Sequence, residues 1–420
     1  MRYPTQRDGE YSNADVAGRR DAAAFYHPEL DVLRFFAFLA VFLHHALPRD
    51  AALYVNNGLP PLASQLVVTA KQAGAYGVDL FFVLSAYLIT ELLIREHEKR
   101  GSFSIPAFYM RRALRIWPLY FTFLALTVFL VPAILPEDQF GTIYIISFAL
   151  FAGNWVCAAN GLPVSVASPL WSISVEEQFY LAWPPLLRVV GIKRIKHLAI
   201  AMLLAAIATR IALAAANIEH PAVWCNTIAR LDSIASGAIL AVALGGRAPR
   251  IKSAIRVVSG GVALAMFLLV AKYLRQDGPT SVITYTATAL ASVALLFSVL
   301  QSEVRLLRLP AFSWLLYLGR ISYGLYVFHL LALALIPRFF IGYLDIPLGF
   351  VPRVLLSFVL TVLLAAVSYA WLEQPFLRLK KRFTRIPKDG LMQTDDSNQF
   401  DLSGRSRPPH GRAAPGSIPT

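Results

Sequence analysis

The chain has 420 residues, of which 57% are hydrophobic and 15% are charged, and its formal net charge is +14. Soluble domains contain about 25% charged residues, so this composition excludes an ordinary soluble protein. The positive charge does not indicate nucleic-acid binding, because the Lys and Arg residues occur in short clusters between apolar runs, as the positive-inside rule predicts for a membrane protein.

Apolar runs long enough to cross a bilayer recur along the whole chain. A membrane-spanning helix needs about 20 apolar residues, and runs of about this length predict ten spans. They lie at about 30–47, 77–94, 114–132, 170–187, 198–216, 227–245, 256–274, 280–300, 312–336 and 353–372. The sequence therefore predicts an all-α polytopic membrane protein with about ten transmembrane helices.

The basic clusters between these runs predict the orientation. With ten spans, all large clusters fall on one side, and that side is the cytoplasm, so both termini are predicted to be cytoplasmic. The clusters begin at Arg95, Arg188, Arg247, Arg305 and Arg378.

An eleventh apolar run, Thr142 to Val156, is short and has no Lys or Arg near either end. Counting it as a full span would place the later basic clusters outside the cell. We therefore interpret it as a re-entrant or interfacial part of a long outer loop, 133–169.

The ends of the chain differ in composition from the membrane part. We predict a cytoplasmic N-terminal segment over 1–27, a membrane domain over 28–383 and a tail over 384–420. The tail is rich in Asp, Ser, Arg, Gly and Pro, and its apolar residues are too few to order it. We expect it to be a disordered cytoplasmic extension.

Ionisable residues within the spans are concentrated in the first half of the chain. Each costs about 2.5–3.5 kcal/mol at the centre of a span, so each indicates a functional site. The first span contains Arg34 and His45, the second Asp79, along with the uncharged polar Ser85, and the fourth Glu176. We therefore predict a polar cavity among the early helices.

His45 is the best candidate for a general base. It lies near the outer end of its span, and Asp79 and Glu176 occupy positions from which either carboxylate could reach it. A carboxylate fixes the tautomer of an imidazole and stabilises its protonated form, which suits a base near neutral pH. His44 and His329 are explained at least as well as structural hydrogen bonders.

Arg112 and Arg115 lie one helical turn apart at the cytoplasmic end of the third span. Two guanidinium groups on one face suit a phosphate, which Arg binds with two parallel hydrogen bonds. The alternative is a positive-inside flank whose side chains reach the membrane surface, and the spacing alone favours it. Metal binding is poorly supported, because the sequence contains no HExxH motif and no two His residues four positions apart.

Five motifs occur in a fixed order over the membrane domain. They are Arg34 followed after ten residues by His45, GVDLFFVLSAYLIT at 77–90, FYMRRALRIWPLY at 108–120, PLWSISVEEQFYLAWP at 169–184 and ISYGLYVFH at 321–329. With them, and a closing WLEQPF at 371–376, the chain resembles the acyltransferase 3 family of integral-membrane enzymes over about residues 27–383. These enzymes O-acylate extracytoplasmic and lipid-linked glycans. The family usually has Ser-Gly-Phe where this chain has Ser-Ala-Tyr at 85–87.

The resemblance implies roles for the polar residues. It implies that His45 is the catalytic base and that Arg34 and the Arg112–Arg115 pair are essential. We accordingly assign Arg112 and Arg115 to acyl-CoA binding. Asp79 and Glu176 are the expected partners of the base, and Ser85, Tyr326 and His329 are candidate substrate contacts.

The resemblance also implies the substrates and the location. A cytoplasmic acyl-CoA, with acetyl-CoA as the expected donor, would acylate a hydroxyl of an extracytoplasmic or lipid-linked glycan in the bacterial inner (plasma) membrane. Acyl-CoA is a substrate, so we expect no bound cofactor and no metal. Some family members carry a fused extracytoplasmic esterase-like domain. We expect this chain to acylate its acceptor directly or to depend on a separate extracytoplasmic partner.

A transporter or flippase that moves a glycan or a lipid without chemistry is the alternative function, since ten spans around a polar interior suit that as well. Transporters commonly consist of two related halves with interrupted helices at matching positions. Here the charges crowd into one half, which favours the enzyme.

Overall fold

The computed structural model describes residues 27–245, 251–300 and 312–383, and these residues form helices and no strand. The all-α prediction is therefore confirmed for this part of the chain. The predictions for 1–26 and for the tail over 384–420 lie outside the described residues, as do Arg247 and the basic cluster that begins at Arg305.

The helices are numbered here in chain order. They are α1 (Pro28–Ala46), α2 (Ala51–Asn56), α3 (Pro61–Gly74), α4 (Gly77–Arg100), α5 (Ile105–Phe129), α6 (Val131–Ile134), α7 (Thr142–Ala149), α8 (Gly153–Asn160), α9 (Leu170–Val190), α10 (Ile195–Ala215), α11 (Ala222–Cys225), α12 (Leu231–Leu244), α13 (Ser253–Tyr273), α14 (Ser281–Val299), α15 (Ser313–Arg320), α16 (Ser322–Pro337), α17 (Phe350–Ser368) and α18 (Gln374–Lys380). Two π-helical turns, Arg338–Tyr343 and Tyr369–Glu373, continue α16 and α17.

Each of the ten predicted spans coincides with helical structure. In the described part of the chain, 7 helical stretches are long and apolar enough to cross a membrane, and the first of them joins α3 to α4. The predicted spans at α1, α9 and α12 fall outside that set. α1 and α9 are less apolar because they carry the ionisable residues described above, and α12 has only 14 residues.

The run from Thr142 to Val156 is not one helix. It is divided between α7 and α8, which have 8 residues each and are therefore about 12 Å long. Between them Phe151 has a φ of 53°, and the backbone of Gly153 packs directly on the ring of Phe148. The prediction that this run does not make a full span is confirmed.

α4 lies at the centre of the bundle. It packs against α1, α9, α12 and α14, and 78% of the apolar window in its helical stretch is buried inside the protein, compared with 11% for α13. α13 therefore presents most of its apolar surface to the outside, as a lipid-facing helix does, whereas α4 is an internal helix.

The approach of α12 to α4 depends on a glycine. A Cβ atom at Gly237 in α12 would collide with the backbone oxygen of Val83 and lie 3.0 Å from the Cβ of Ala86. Small residues are typical where two membrane helices meet with their backbones close together. Gly237 therefore sets the distance between these two helices.

We expect Gly237→Ala to destabilise the protein by about 1–3 kcal/mol, because the added methyl group pushes α12 away from α4. The matched control is Gly261→Ala in α13, where an added Cβ meets no atom within 4 Å. The control should raise stability by up to about 1 kcal/mol through helix propensity. Thermal unfolding in detergent measures both variants, and equal shifts would contradict the packing argument.

Candidate functional site

Arg34 and His45 lie near opposite ends of α1, with ten residues between them. At 1.5 Å per residue they are separated by about 16 Å along the helix axis. Nη1 of Arg34 donates a hydrogen bond to Oδ1 of Asp31 at 2.9 Å. The two residues, both of which the sequence analysis assigned to one polar cavity, therefore belong to two separate groups of side chains.

His45 is paired with His329, which lies in α16. Nε2 of His329 is 3.3 Å from Nδ1 of His45, and the ring centroids are 5.0 Å apart. Nδ1 of His45 also lies 3.0 Å from the carbonyl oxygen of Val41, and Nδ1 of His329 lies 2.6 Å from that of Tyr326. The two imidazole rings thus form a chain of hydrogen-bonding groups between α1 and α16.

These partners assign the tautomers of the neutral rings. A carbonyl oxygen can only accept, so Nδ1 of His329 carries the hydrogen that it donates to Tyr326, and its Nε2 is left as an acceptor. Nδ1 of His45 faces two acceptors, the Val41 oxygen and the His329 nitrogen, so it too carries a hydrogen. The free lone pair of neutral His45 is therefore on Nε2, where it can take a proton from a substrate.

The two histidines differ in accessibility. His329 is 0% exposed, whereas His45 is exposed. The exposed imidazole of His45 can therefore meet a substrate, while the buried imidazole of His329 holds the His45 ring in place.

The structure corrects the expected partner of His45. Both carboxylates that His45 was expected to meet have other partners: Asp79 accepts from Arg230 and Ser233, each at 2.8 Å, and Glu176 accepts from Tyr180 at 2.6 Å. Neither carboxylate has a hydrogen bond to His45 in the described structure. His329 occupies the place that the sequence analysis gave to a carboxylate.

Asp79 belongs to a buried network of charges between α4, α10 and α12. It pairs with Arg230, whose guanidinium lies 4.6 Å from the ring centre of Trp224 and 4.5 Å from that of Tyr285. Arg210 and Asp232 form a second ion pair at 2.8 Å, and all four charged side chains are 0% exposed. Because an uncompensated charge at this depth is costly, the pairing accounts for the position of Asp79 in structural terms.

A second polar cluster surrounds Arg34. The charges of Arg34, Arg112 and Arg115 lie close enough to act on one another, and those of Arg34 and Arg112 also act on Glu176. The guanidinium of Arg112 lies 5.6 Å from the ring centre of Tyr180. The packing of α1 and α5 thus brings Arg34 close to Arg112 and Arg115, and α9 adds Glu176 and Tyr180 to the cluster.

Arg112 and Arg115 are available to a ligand. Within the described ranges, neither guanidinium has a hydrogen bond or an ion pair with a protein group, although Glu373 lies within electrostatic range of Arg115. Both side chains are partly accessible. This is the state expected of cationic groups that receive an anion from outside the chain.

The remaining candidate contacts are engaged within the protein. Ser85 donates to Glu176 at 3.2 Å, and the Tyr326 hydroxyl lies 2.7 Å from that of Ser172 in α9. Tyr326 is 7% exposed, so its hydroxyl holds α16 on α9. No group of three or more His, Cys, Asp or Glu side chains in the described ranges is arranged to hold a metal ion.

Residues 27–370 match a family described as an acyltransferase domain, which covers most of the chain. The chain belongs to the acyltransferase 3 family. No solved structure matches it.

Three relatives illustrate the acyltransferase 3 similarity. The chain is 27% identical over 377 residues to the peptidoglycan O-acetyltransferase OatA of Listeria monocytogenes, which covers 83% of this chain and 56% of that protein. It is 26% identical over 389 residues to the O-acetyltransferase OatA of Staphylococcus aureus, covering 86% of this chain and 59% of the relative. A putative O-acetyltransferase of S. aureus strain MSSA476 is 25% identical over 373 residues, with coverages of 84% and 57%. The chain thus spans somewhat more than half the length of the curated relatives it matches.

Two features of this acyltransferase 3 site were not predicted as such. His329 was a candidate substrate contact, and the structure makes it the partner of His45. Its place in the ISYGLYVFH motif was the available signal. Gln178 donates to Asn154 at 2.7 Å and accepts from Thr227 at 2.6 Å, which ties the outer loop to α9. No sequence signal linked these three residues.

A structural role for Asp79 predicts a loss of stability when its charge is removed. Asp79→Asn should cost about 3–5 kcal/mol, because Arg230 is left as an unpaired buried charge. The control is Asp277→Asn, whose Arg275 partner is 79% exposed and whose ion pair is worth about 0–1 kcal/mol. Thermal unfolding reports both variants. An Asp79→Asn protein with wild-type stability and no activity would instead indicate a catalytic carboxylate.

Proposed function

We propose that the protein is an O-acyltransferase that moves an acyl group, an acetyl group by analogy with the names of its relatives, from acyl-CoA to a hydroxyl of an extracytoplasmic or lipid-linked glycan. One observation carries the proposal. In a chain of an acyltransferase family, the exposed His45 imidazole has its Nδ1 hydrogen fixed by the Val41 oxygen and the His329 nitrogen, which leaves Nε2 free as a base.

The chemistry that this geometry supports is direct proton abstraction. The hydroxyl oxygen of the acceptor bonds to the thioester carbonyl carbon while its proton moves to Nε2 of His45. The carbon–sulfur bond then breaks, and the departing thiolate takes the proton from the imidazolium. The products are the O-acyl ester and free CoA.

His329 assists as a positioning residue. When His45 becomes an imidazolium, its Nδ1 hydrogen is shared between two acceptors, the Val41 oxygen and Nε2 of His329. A hydrogen bond from an ionised donor is worth more than one between neutral groups. These two hydrogen bonds hold the ring in the orientation in which Nε2 faces the substrate, both before and after it takes the proton.

The cluster of Arg34, Arg112 and Arg115 is the proposed donor site. CoA carries phosphate groups, and guanidinium forks bind phosphate with two hydrogen bonds. Arg112 and Arg115 follow the N-terminal end of α5, which the positive-inside distribution assigns to the cytoplasm. In this arrangement the donor enters from the cytoplasm.

Donor binding and proton transfer are then separated by the length of α1. The pantetheine arm of CoA is long and thin, and we propose that it passes from the arginine cluster towards His45, with Ser85 and Glu176 along its course. The thioester would meet a hydroxyl that arrives from the opposite side. The relatives named as O-acetyltransferases, one of them for peptidoglycan, support a cell-envelope glycan as the acceptor and the bacterial plasma membrane as the location.

The test of this function is the release of CoA thiol from acetyl-CoA by the purified protein. His45→Ala should lower kcat by about 10²–10⁴-fold, the usual contribution of a general base. His329→Gln should lower kcat less, since the base remains. The control is His197→Ala, because His197 is exposed in α10. Unchanged activity in His45→Ala would remove the base from the mechanism, and a transporter would release no thiol at all.

The donor site has its own prediction. Arg112→Ala and Arg115→Ala should each raise the KM for acetyl-CoA by about 10- to 100-fold, since a hydrogen bond to a charged group contributes about 1.5–3 kcal/mol. Lys substitutions should rescue only in part, because an ammonium cannot reproduce the guanidinium fork. The matched control is Lys193→Ala, an exposed cation at the same predicted membrane face. An unchanged KM in both Arg variants would indicate that the two arginines serve only as a positive-inside signal for membrane topology.

A further inference from the structure

A cavity of about 380 Å³ opens beside the C-terminal end of α1. Pockets that hold small molecules have volumes of about 300–1,000 Å³, so the space is sufficient for a sugar residue. It is bounded by α1, α3 and α13 and by the segment that follows α13. Its titratable lining residues are His44, Arg49, Lys71, His220, Arg275 and Asp277.

The lining carries an excess of positive charge. Asp277 is the one carboxylate among the lining residues, and it is already paired with Arg275, through Nε to Oδ1 at 2.9 Å and Nη2 to Oδ2 at 3.4 Å. The hydrogen bond from Arg275 lowers the pKa of Asp277, so that carboxylate stays ionised and satisfied. Arg49 and Lys71 are left without a carboxylate among the described residues.

Lys71 is the most informative residue of this cavity. It is 4% exposed, and its ammonium group has no hydrogen bond or ion pair with any residue that the structure describes. A largely buried cationic side chain without a counter-charge is unfavourable. An anion that enters the cavity would supply the missing partner.

The cavity adjoins the proposed base. His44 lines it and donates from Nδ1 to the Lys71 carbonyl oxygen at 2.9 Å, which fixes α3 against α1 at this level. The ring of His44 is 5.1 Å from that of His45, centre to centre. A ligand in the cavity is therefore separated from the proposed base, His45, only by the side chain of His44.

We propose that this cavity binds the acceptor glycan through an anionic group on the sugar, a carboxylate or a phosphate, with Lys71 and Arg49 as its cationic ligands. The assignment of the ligand as acceptor rests on the proposed function. The acidic group is held at Lys71, and a hydroxyl of the same or the adjacent sugar is presented to His45. The donor cluster and the acceptor cavity then lie at opposite ends of α1.

The test measures binding by the purified full-length protein in detergent, without acyl-CoA. Equilibrium dialysis compares glucuronic acid with its methyl ester, and glucose 1-phosphate with glucose, so that the carboxylate and phosphate sources are separated. At least one acidic sugar should bind about tenfold or more tightly than its neutral partner. Equal binding within both pairs overturns the proposal.

Variants assign the preference to the cavity. Lys71→Gln should abolish the preference for the acidic sugar, and Lys71→Arg should retain it. Because Lys71 is buried, Arg49→Gln is a second variant at an exposed position and should reduce the same preference. Lys193→Gln, remote and exposed, should leave it unchanged. A folded Lys71→Gln or Arg49→Gln protein with the full preference of the wild type places the anion elsewhere and overturns the proposal.

Thiol release separates this proposal from the proposed function. If acidic sugars are preferred but no acceptor stimulates thiol release from acetyl-CoA, the acyltransferase function fails and the acidic-sugar site remains. If thiol release occurs but the charge preference is absent, the cavity proposal fails and the function remains. If acidic sugars are preferred and an acceptor also stimulates thiol release, Lys71→Gln should raise the KM for the acidic acceptor and leave the KM for acetyl-CoA unchanged.

Discussion

The ion pair between Asp79 and Arg230 is the interaction on which the arrangement of the central helices depends. It joins α4 to the segment that leads into α12, at a depth where both side chains are 0% exposed. The close contact of Gly237 with Val83 acts on the same two helices, so packing and charge pairing reinforce each other there. Because α4 also contacts α1 and α9, this interaction determines where His45 and Glu176 can lie.

The same interaction explains why a histidine, and not a carboxylate, stands behind the proposed base, His45. A carboxylate that neutralises a buried guanidinium is not free to accept from an imidazole, so His45 obtains its second acceptor from α16 instead. A neutral imidazole favours the protonated partner less strongly than a carboxylate does. In the proposed mechanism, the His45 imidazolium returns its proton to a departing thiolate, which is far less basic than an alkoxide.

The sequence predicted the positions of the helices better than the contacts between their side chains. The length of an apolar run is dictated by bilayer thickness, so helices could be located even at α1 and α9, where charges lower the hydropathy. His45 contacts His329, 284 positions away in the sequence, and Asp79 contacts Arg230, 151 positions away. Hydropathy does not indicate which helices are neighbours, so these contacts could not be predicted from it. Arg34 and the Arg112–Arg115 pair were named from sequence, but the approach of Arg34 to that pair was not predicted. Lys71 was not predicted as a functional residue because α3 is a short helix between two predicted spans. The role proposed for Lys71 depends on the cavity that α13 helps to enclose.

The spacing between Arg34 and His45 has a consequence for the kinds of change that α1 can accept. Each residue of a helix turns by about 100° and rises by 1.5 Å, so eleven steps amount to just over three complete turns, and both side chains lie near the same face of the helix. Exchanging one apolar residue for another between them preserves that register. Inserting or deleting a single residue rotates one end against the other by about 100°, and either the arginine or the histidine then faces lipid. The length of this segment, more than the identity of the residues within it, keeps the two ends of α1 in one working alignment.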